Sequence, residues 1–213
     1  MCDDTHGMTL YRENKLLNTG VQAHNGHFFA SGHCLTSSVC EESITLFFFT
    51  LRECNKKDSE PKEPVVGMID GALEAAQALV NVWPNIRVEL CVWHVSRAWS
   101  RALQKKKWED RTKMTDVLKD AESIMYKMDI SERDTSLEEF RRRWASEQDV
   151  LAYFEAEYFH RSRLPLWCLA DRAGKHQLAD TTSPIEGAIH SRLKDEYARA
   201  GASELINHLQ VFA

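Results

Sequence analysis

The sequence predicts an α/β protein on a mixed sheet, three antiparallel strands then parallel ones, carrying an all-helical insertion. Three observations carry that reading. The first third alternates as strands around Asn25-Gly26, the dipeptide best suited to a type I′ hairpin turn. Two short apolar runs, Pro64 to Ile69 and Ile86 to Cys91, each lead into a helical segment, the pattern of strands in βαβ units. From Trp108 to about Arg163 there is neither glycine nor proline, and Lys, Glu, Arg and Met abound, so this stretch reads as several helices.

Taken in order, the residues before Thr5 supply the end of a first strand, which reads as truncated. Lys15 to Ala23 and His27 to Leu35 form the hairpin. Glu41 to Glu53 has apolar residues at both helical and strand spacing; its acidic first turn and its length favour helix. Val65-Val66-Gly67-Met68-Ile69 is a buried strand ending at Asp70, and Gly71 to Trp83 is an Ala-rich helix stopped by Pro84. Ile86 to Cys91 alternates as a strand and runs into a helix from Val92 to about Lys107. A hairpin meander followed by βαβ crossovers on one sheet is the RNase H-like order. The expected organisation is a core in two parts, residues 1–107 and 164–213, separated by a helical insertion over 108–163. A final pair of helices is expected from Pro184 onward.

Composition bounds the function. At 43% hydrophobic and 28% charged, the 213 residues resemble a globular average. The longest apolar run, Ile44 to Leu51, falls far short of the roughly 18 residues a membrane span needs. Met1-Cys2-Asp3-Asp4-Thr5-His6 lacks the basic start and apolar stretch of a secretory signal. Six cysteines without CxxC pairs point to reduced thiols and a cytosolic or nuclear home. A net charge of −5 argues mildly against a dedicated nucleic-acid-binding domain. Lys105-Lys106-Lys107, Arg141-Arg142-Arg143 and His160-Arg161-Ser162-Arg163 are local exceptions, and each reads first as a solvated helix face.

Asp3 and Asp70 are placed by this topology at one sheet edge, where open α/β sheets bind ligands. Paired carboxylates and water are what Mg²⁺ takes, and two such ions can activate an attacking oxygen and stabilise a leaving one at a phosphodiester. Spacing alone favours plainer roles. Asp70 precedes Gly71-Ala72-Leu73-Glu74 as a helix N-cap would, and Ser183-Pro184-Ile185-Glu186 is a well-formed capping box. Cys91 and His94, one helical turn apart, could form half of a zinc site; His160, His176 and His190 stand at no convincing spacing to complete it. A buried cysteine and a hydrogen-bonded histidine at a helix start is the simpler reading. The six tryptophans read as core anchors before stacking platforms.

These residues also resemble a known family. Asp70-Gly71-Ala72-Leu73-Glu74-Ala75-Ala76, then Val82-Trp83-Pro84-Asn85, then Leu90-Cys91-Val92-Trp93-His94, resembles the central signature of Mutator-like element (MULE) transposases. Cys2-Asp3-Asp4-Thr5 resembles the first signature, an Asp-x-Thr at a strand end. Thr181-Thr182-Ser183-Pro184-Ile185-Glu186-Gly187, continuing through His190, Leu193 and Lys194, resembles the third. All three stand in the family's order, with the helical stretch in the longer gap, where the family carries its insertion.

The resemblance reverses the capping preference for Asp70 and Glu186. It implies a DDE-type DNA transposase in which Asp3, Asp70 and Glu186 hold two Mg²⁺ (or Mn²⁺) ions. The implied chemistry is hydrolysis and strand transfer at transposon ends, in the nucleus, by a homo-oligomer assembled on DNA, with no small-molecule substrate and no membrane. Cys91 and His94 match the family's C-x-x-H, as structural or DNA-positioning residues. Family members have further chain on both sides, so the expectation is a fragment. Two alternatives stay open: a domesticated or decayed relative that binds DNA or regulates without cutting, and a zinc-stabilised interaction domain built on Cys91 and His94.

Overall fold

The computed structural model describes residues 2–5, 15–22, 28–56, 63–106, 108 and 111–172. They fall into two compact units, one within Met1–Val88 and one within Glu89–Leu178.

The first unit is the α/β part. Strands β1 (Cys2–Thr5), β2 (Lys15–Gln22) and β3 (Phe28–Thr36) form an antiparallel meander, with Asp3 opposite Asn18 and Asn18 opposite His33. Strand β4 (Val66–Ile69) joins β1 in parallel, and β5 (Arg87–Leu90) completes the order β3-β2-β1-β4-β5. The register of β2 and β3 slips between Thr19 and Gly20, a bulge that lets the Thr19 hydroxyl reach Ser31 Oγ at 3.0 Å.

Helix α1 (Glu41–Asn55) begins where Ser43 Oγ accepts the Cys40 N–H at 3.2 Å and Glu41 and Glu42 face the positive helix end. Its Ile44, Phe47 and Phe48 are buried, and the helix reading of this ambiguous stretch is borne out. Gly32 makes the seat of α1 on β3: a Cβ there would stand 2.6 Å from Leu51 Cδ2 and 3.3 Å from Phe47. Helix α2 (Leu73–Val82) lies beside α1. The Arg52 guanidinium caps its end by donating to the Val82 carbonyl at 2.8 Å, and Phe48 packs on Trp83. Gly67 plays the matching part in β4, since a Cβ would meet Leu79 at 2.6 Å and Ile86 at 3.1 Å.

The second unit is helical: α3 (Val92–Gln104), α4 (Arg111–Met125), α5 (Ile130–Arg143), α6 (Gln148–Glu157) and the short α7 (Leu164–Trp167), followed by a 3-10 turn, Leu169–Asp171. The absence of glycine and proline from 108–163 leaves only short connections between three full helices. Asp129 caps α5 through the N–H groups of Ser131 and Glu132.

The core of this unit is aromatic. Trp99 and Trp167 are fully buried and meet edge to face at 5.2 Å, and Phe154 packs on both Trp99 and Phe140. Two buried indole N–H groups find acceptors, Trp167 at the Tyr158 carbonyl and Trp144 at Asp120, while that of Trp99 has no acceptor among the described residues. Near the unit's two ends, Arg172 faces Glu89 at 3.3 Å and donates to the carbonyls of Leu90 (2.6 Å) and Leu166 (2.7 Å). Both ionised groups are buried. Their desolvation offsets much of their attraction, so the pair fixes geometry more than it adds stability.

Candidate functional site

The parallel ladder of β1 and β4 positions the site. Its register pairs Cys2 with Ile69, and the next residues along the two strands are Asp3 and Asp70. Strand β1 itself runs on to Thr5 against β2, so Asp3 lies within a strand rather than at the strand end expected from the sequence. What ends beside it is the ladder to β4.

Asp70 does not cap α2. The helix begins at Leu73 with Ala72 as its N-cap, two residues later than spacing suggests, and no side chain caps it. The cause is Gly71, whose φ of 123° turns the chain between strand and helix through backbone that only glycine adopts without strain. In this turn Asp70 Oδ1 accepts the Ala72 N–H at 3.2 Å, which is its single hydrogen bond among the described residues. Among the described residues the second oxygen of this half-buried carboxylate has no hydrogen-bond partner.

A polar row extends away from this point across the meander. Asp3, Asn18 and His33 occupy one register position on three successive strands. Asn18 is fully buried, and its Oδ1 lies 2.7 Å from His33 Nδ1. Burial lowers the His33 pKa from its ordinary value, so the neutral ring is favoured. With the amide oxygen as acceptor, Nδ1–H donates and Nε2 keeps a lone pair. Sequence reading missed both residues. The available signal was a buried-strand asparagine, Asn18, standing at the register position of the first aspartate.

The other expected residues lie elsewhere. Cys91 is the fully buried N-cap residue of α3 and is in no disulfide, and His94, in the first turn, meets Trp93 edge to face at 4.7 Å. Among the described residues no group of three or more His, Cys, Asp or Glu side chains is arranged to hold a metal ion. Glu186, His176 and His190 fall outside the described residues, as do Asn25-Gly26 and the helices expected after Pro184. His160 holds Ser162 at 2.8 Å, a local turn contact.

The family model for the MULE transposase domain matches residues 1–98, from the first strand through the first half of α3. The likeness to the MULE transposase domain thus spans residues 1–98. The match covers the Asp3 and Asp70 signatures and the Cys91–His94 block, and it ties this part of the chain to transposase-related function. No curated protein and no solved structure is significantly similar to the chain. Within residues 1–98, Asp3 stands on one of two neighbouring parallel strands and Asp70 directly follows the other. No helix among the described residues is long and apolar enough to cross a membrane.

Proposed function

We propose that the chain is the catalytic part of a DDE-type DNA transposase with an RNase H-like core. The observation that carries this reading is the register of β1 and β4, which brings Asp3 and Asp70 to successive positions past the last paired residues, Cys2 and Ile69. The sheet order β3-β2-β1-β4-β5, three antiparallel strands then a parallel crossover, is the order expected of that core.

The donor chemistry fits Mg²⁺ or Mn²⁺. Asp70 offers a hard carboxylate oxygen outside its turn hydrogen bond, and Asp3 and Glu186 would supply the remaining carboxylates. When bound, such an ion pair lowers the pKa of an attacking water or 3′-hydroxyl and stabilises the leaving oxygen of the phosphodiester. The chain's own part is positional. Gly71 sets the turn that holds Asp70 at the ladder's end, and the Asn18–His33 pair stiffens the strand beside Asp3 without adding a competing charge, because the ring is neutral. DNA ends and target DNA are the substrates, and a homo-oligomer assembled on DNA in the nucleus is the working form.

The test is nicking of duplex DNA by the purified chain with Mg²⁺ or Mn²⁺. Asp70→Asn, Asp3→Asn and Glu186→Gln should each reduce cleavage by more than the roughly 10–100-fold that changes outside the ligand shell cost at metal sites. DNA binding without metal-dependent cleavage, or cleavage indifferent to Asp70→Asn, replaces this reading with a non-catalytic relative of the transposases.

A further inference from the structure

Helix α3 and its C-cap, Lys105, contain no Asp or Glu, in a chain whose net charge is −5. Their exposed residues are Trp93, Arg97, Arg101, Gln104 and Lys105. These fall at successive helical repeats and so line one stripe, while Val92, Val95, Trp99 and Leu103 are buried on the other side. Arg97 lies over the Trp93 ring, 4.9 Å from its centroid, and Trp93 is itself 40% exposed.

Several other cations of this unit are answered by carboxylates, whereas the exposed Lys119, Arg142 and Arg161 have no such partner among the described residues. Arg133 pairs with Asp134 and Asp171, and Arg141 with Glu138 and Glu155. Arg143 pairs with Asp116 and Asp120, and Lys106 and Lys113 share Glu147. None of Arg97, Arg101 and Lys105 has a carboxylate partner among the described residues. The negative end of the helix accounts for cations in its last turn, Arg101 and Lys105, at about 0.3–1 kcal/mol each. It does not account for Arg97 near the first turn, nor for the absence of any acid.

We propose that this stripe of α3 is a nucleic-acid backbone contact, with duplex DNA as its occupant. Four residues of helix rise about 6 Å, so Arg97, Arg101 and Lys105 span roughly 12 Å. A DNA strand presents a phosphate about every 3.4 Å of axis, so a row of roughly 12 Å spans about three to four phosphate steps of one strand. Arg97, held extended on Trp93, is the pre-ordered member of the set. The charge pattern stands without the transposase reading; the choice of DNA as the polymer rests on it.

The experiment is fluorescence anisotropy of the full chain with a labelled mixed-sequence duplex, in EDTA, between about 50 and 200 mM salt. The stripe variant combines Arg97→Ala, Arg101→Ala and Lys105→Ala. A control removes the same charge from exposed cations elsewhere in the unit, Lys119→Ala, Arg142→Ala and Arg161→Ala. Losing three phosphate contacts should lower the slope of log affinity against log salt by about 2–3, with the control near wild type. Arg97→Lys with Arg101→Lys should retain most of the slope.

Equal slopes for stripe variant and control overturn the proposal, as does a wild-type chain that binds no duplex, or one that polyglutamate displaces as readily as DNA does. EDTA separates this result from catalysis. Stripe-dependent binding with no metal-dependent nicking keeps the surface and removes the enzyme. Nicking that survives the stripe variant at undiminished affinity does the reverse.

Discussion

The two units handle buried polarity in opposite ways. In the sheet unit, the buried Asn18 and Thr19 make neutral contacts, Asn18 with the half-buried His33 and Thr19 with Ser31. In the helical unit the interior is largely a cluster of rings, and polarity is met by arginine–carboxylate pairs, buried at Arg133 and Arg172 and more exposed at Arg141 and Arg143. The difference separates two jobs. A ring-packed core with neutralised margins maximises stability per residue, while an interior with polar groups beside an aspartate-bearing ladder gives up some of that stability for a site where charge can be handled.

The sharpest way to break this comparison is Trp99→Ala. It removes the ring on which Phe154, Tyr158 and Trp167 converge, and should cost about 3–5 kcal/mol, read by denaturant unfolding. The loss should register in helical circular dichroism while hydrogen exchange in β2 and β3 stays slow. Simultaneous loss of strand protection would mean the two units unfold as one.

Asn18→Ala is the intermediate case. Leaving the His33 ring without its partner in a buried position should cost about 1–3 kcal/mol, with protection lost first in β2 and β3. The same pair predicts a pH dependence. His33 has a lowered folded-state pKa, so its contribution is fully present above the unfolded value of about 6.5 and is lost as pH falls from there through the folded value. His33→Gln should flatten that decline; an unchanged acid limb would assign it to other groups.

Arg141→Ala should have the smallest effect, about 0.2–1 kcal/mol. Its pairs with Glu138 and Glu155 are a third or more exposed and screened by solvent and salt. A loss well above that range would move this margin from charge neutralisation to true core.

Much of this was legible in the residues because local chemistry and tertiary packing agree. Strands β2 to β5 fall within a residue or two of the positions their alternation predicts, and the Ala-rich and glycine-free segments are helices. Departures come where one residue overrides a pattern. Gly71 delays α2, so that Asp70 serves a turn instead of the helix. The tryptophans split by context: Trp99, Trp144 and Trp167 are core, whereas Trp93 is exposed on α3 beneath Arg97.

The arginine run at 141–143, expected as a solvated face, is exposed at Arg142 and Arg143 and half-buried at Arg141. Arg141 and Arg143 are paired to acids far along the chain, which spacing does not reveal. At the candidate site Asp70 was legible as an acid because a strand that leads straight into one is a local feature, whereas Asp3 lies inside its strand. Asn18 and His33 were not legible, since their partnership depends on a strand register set by a bulge.

The contact between Arg172 and the Glu89–Leu90 backbone also has a mechanical consequence. Tension that enters the helical unit at Glu89 and leaves at Arg172 meets this clasp before it meets any helix, because Arg172 grips the Leu90 carbonyl directly. The clasp acts as a shunt. While it holds, α3 to α6 bear no load, so strain pulled through this unit is borne by one buried guanidinium before the aromatic core is loaded.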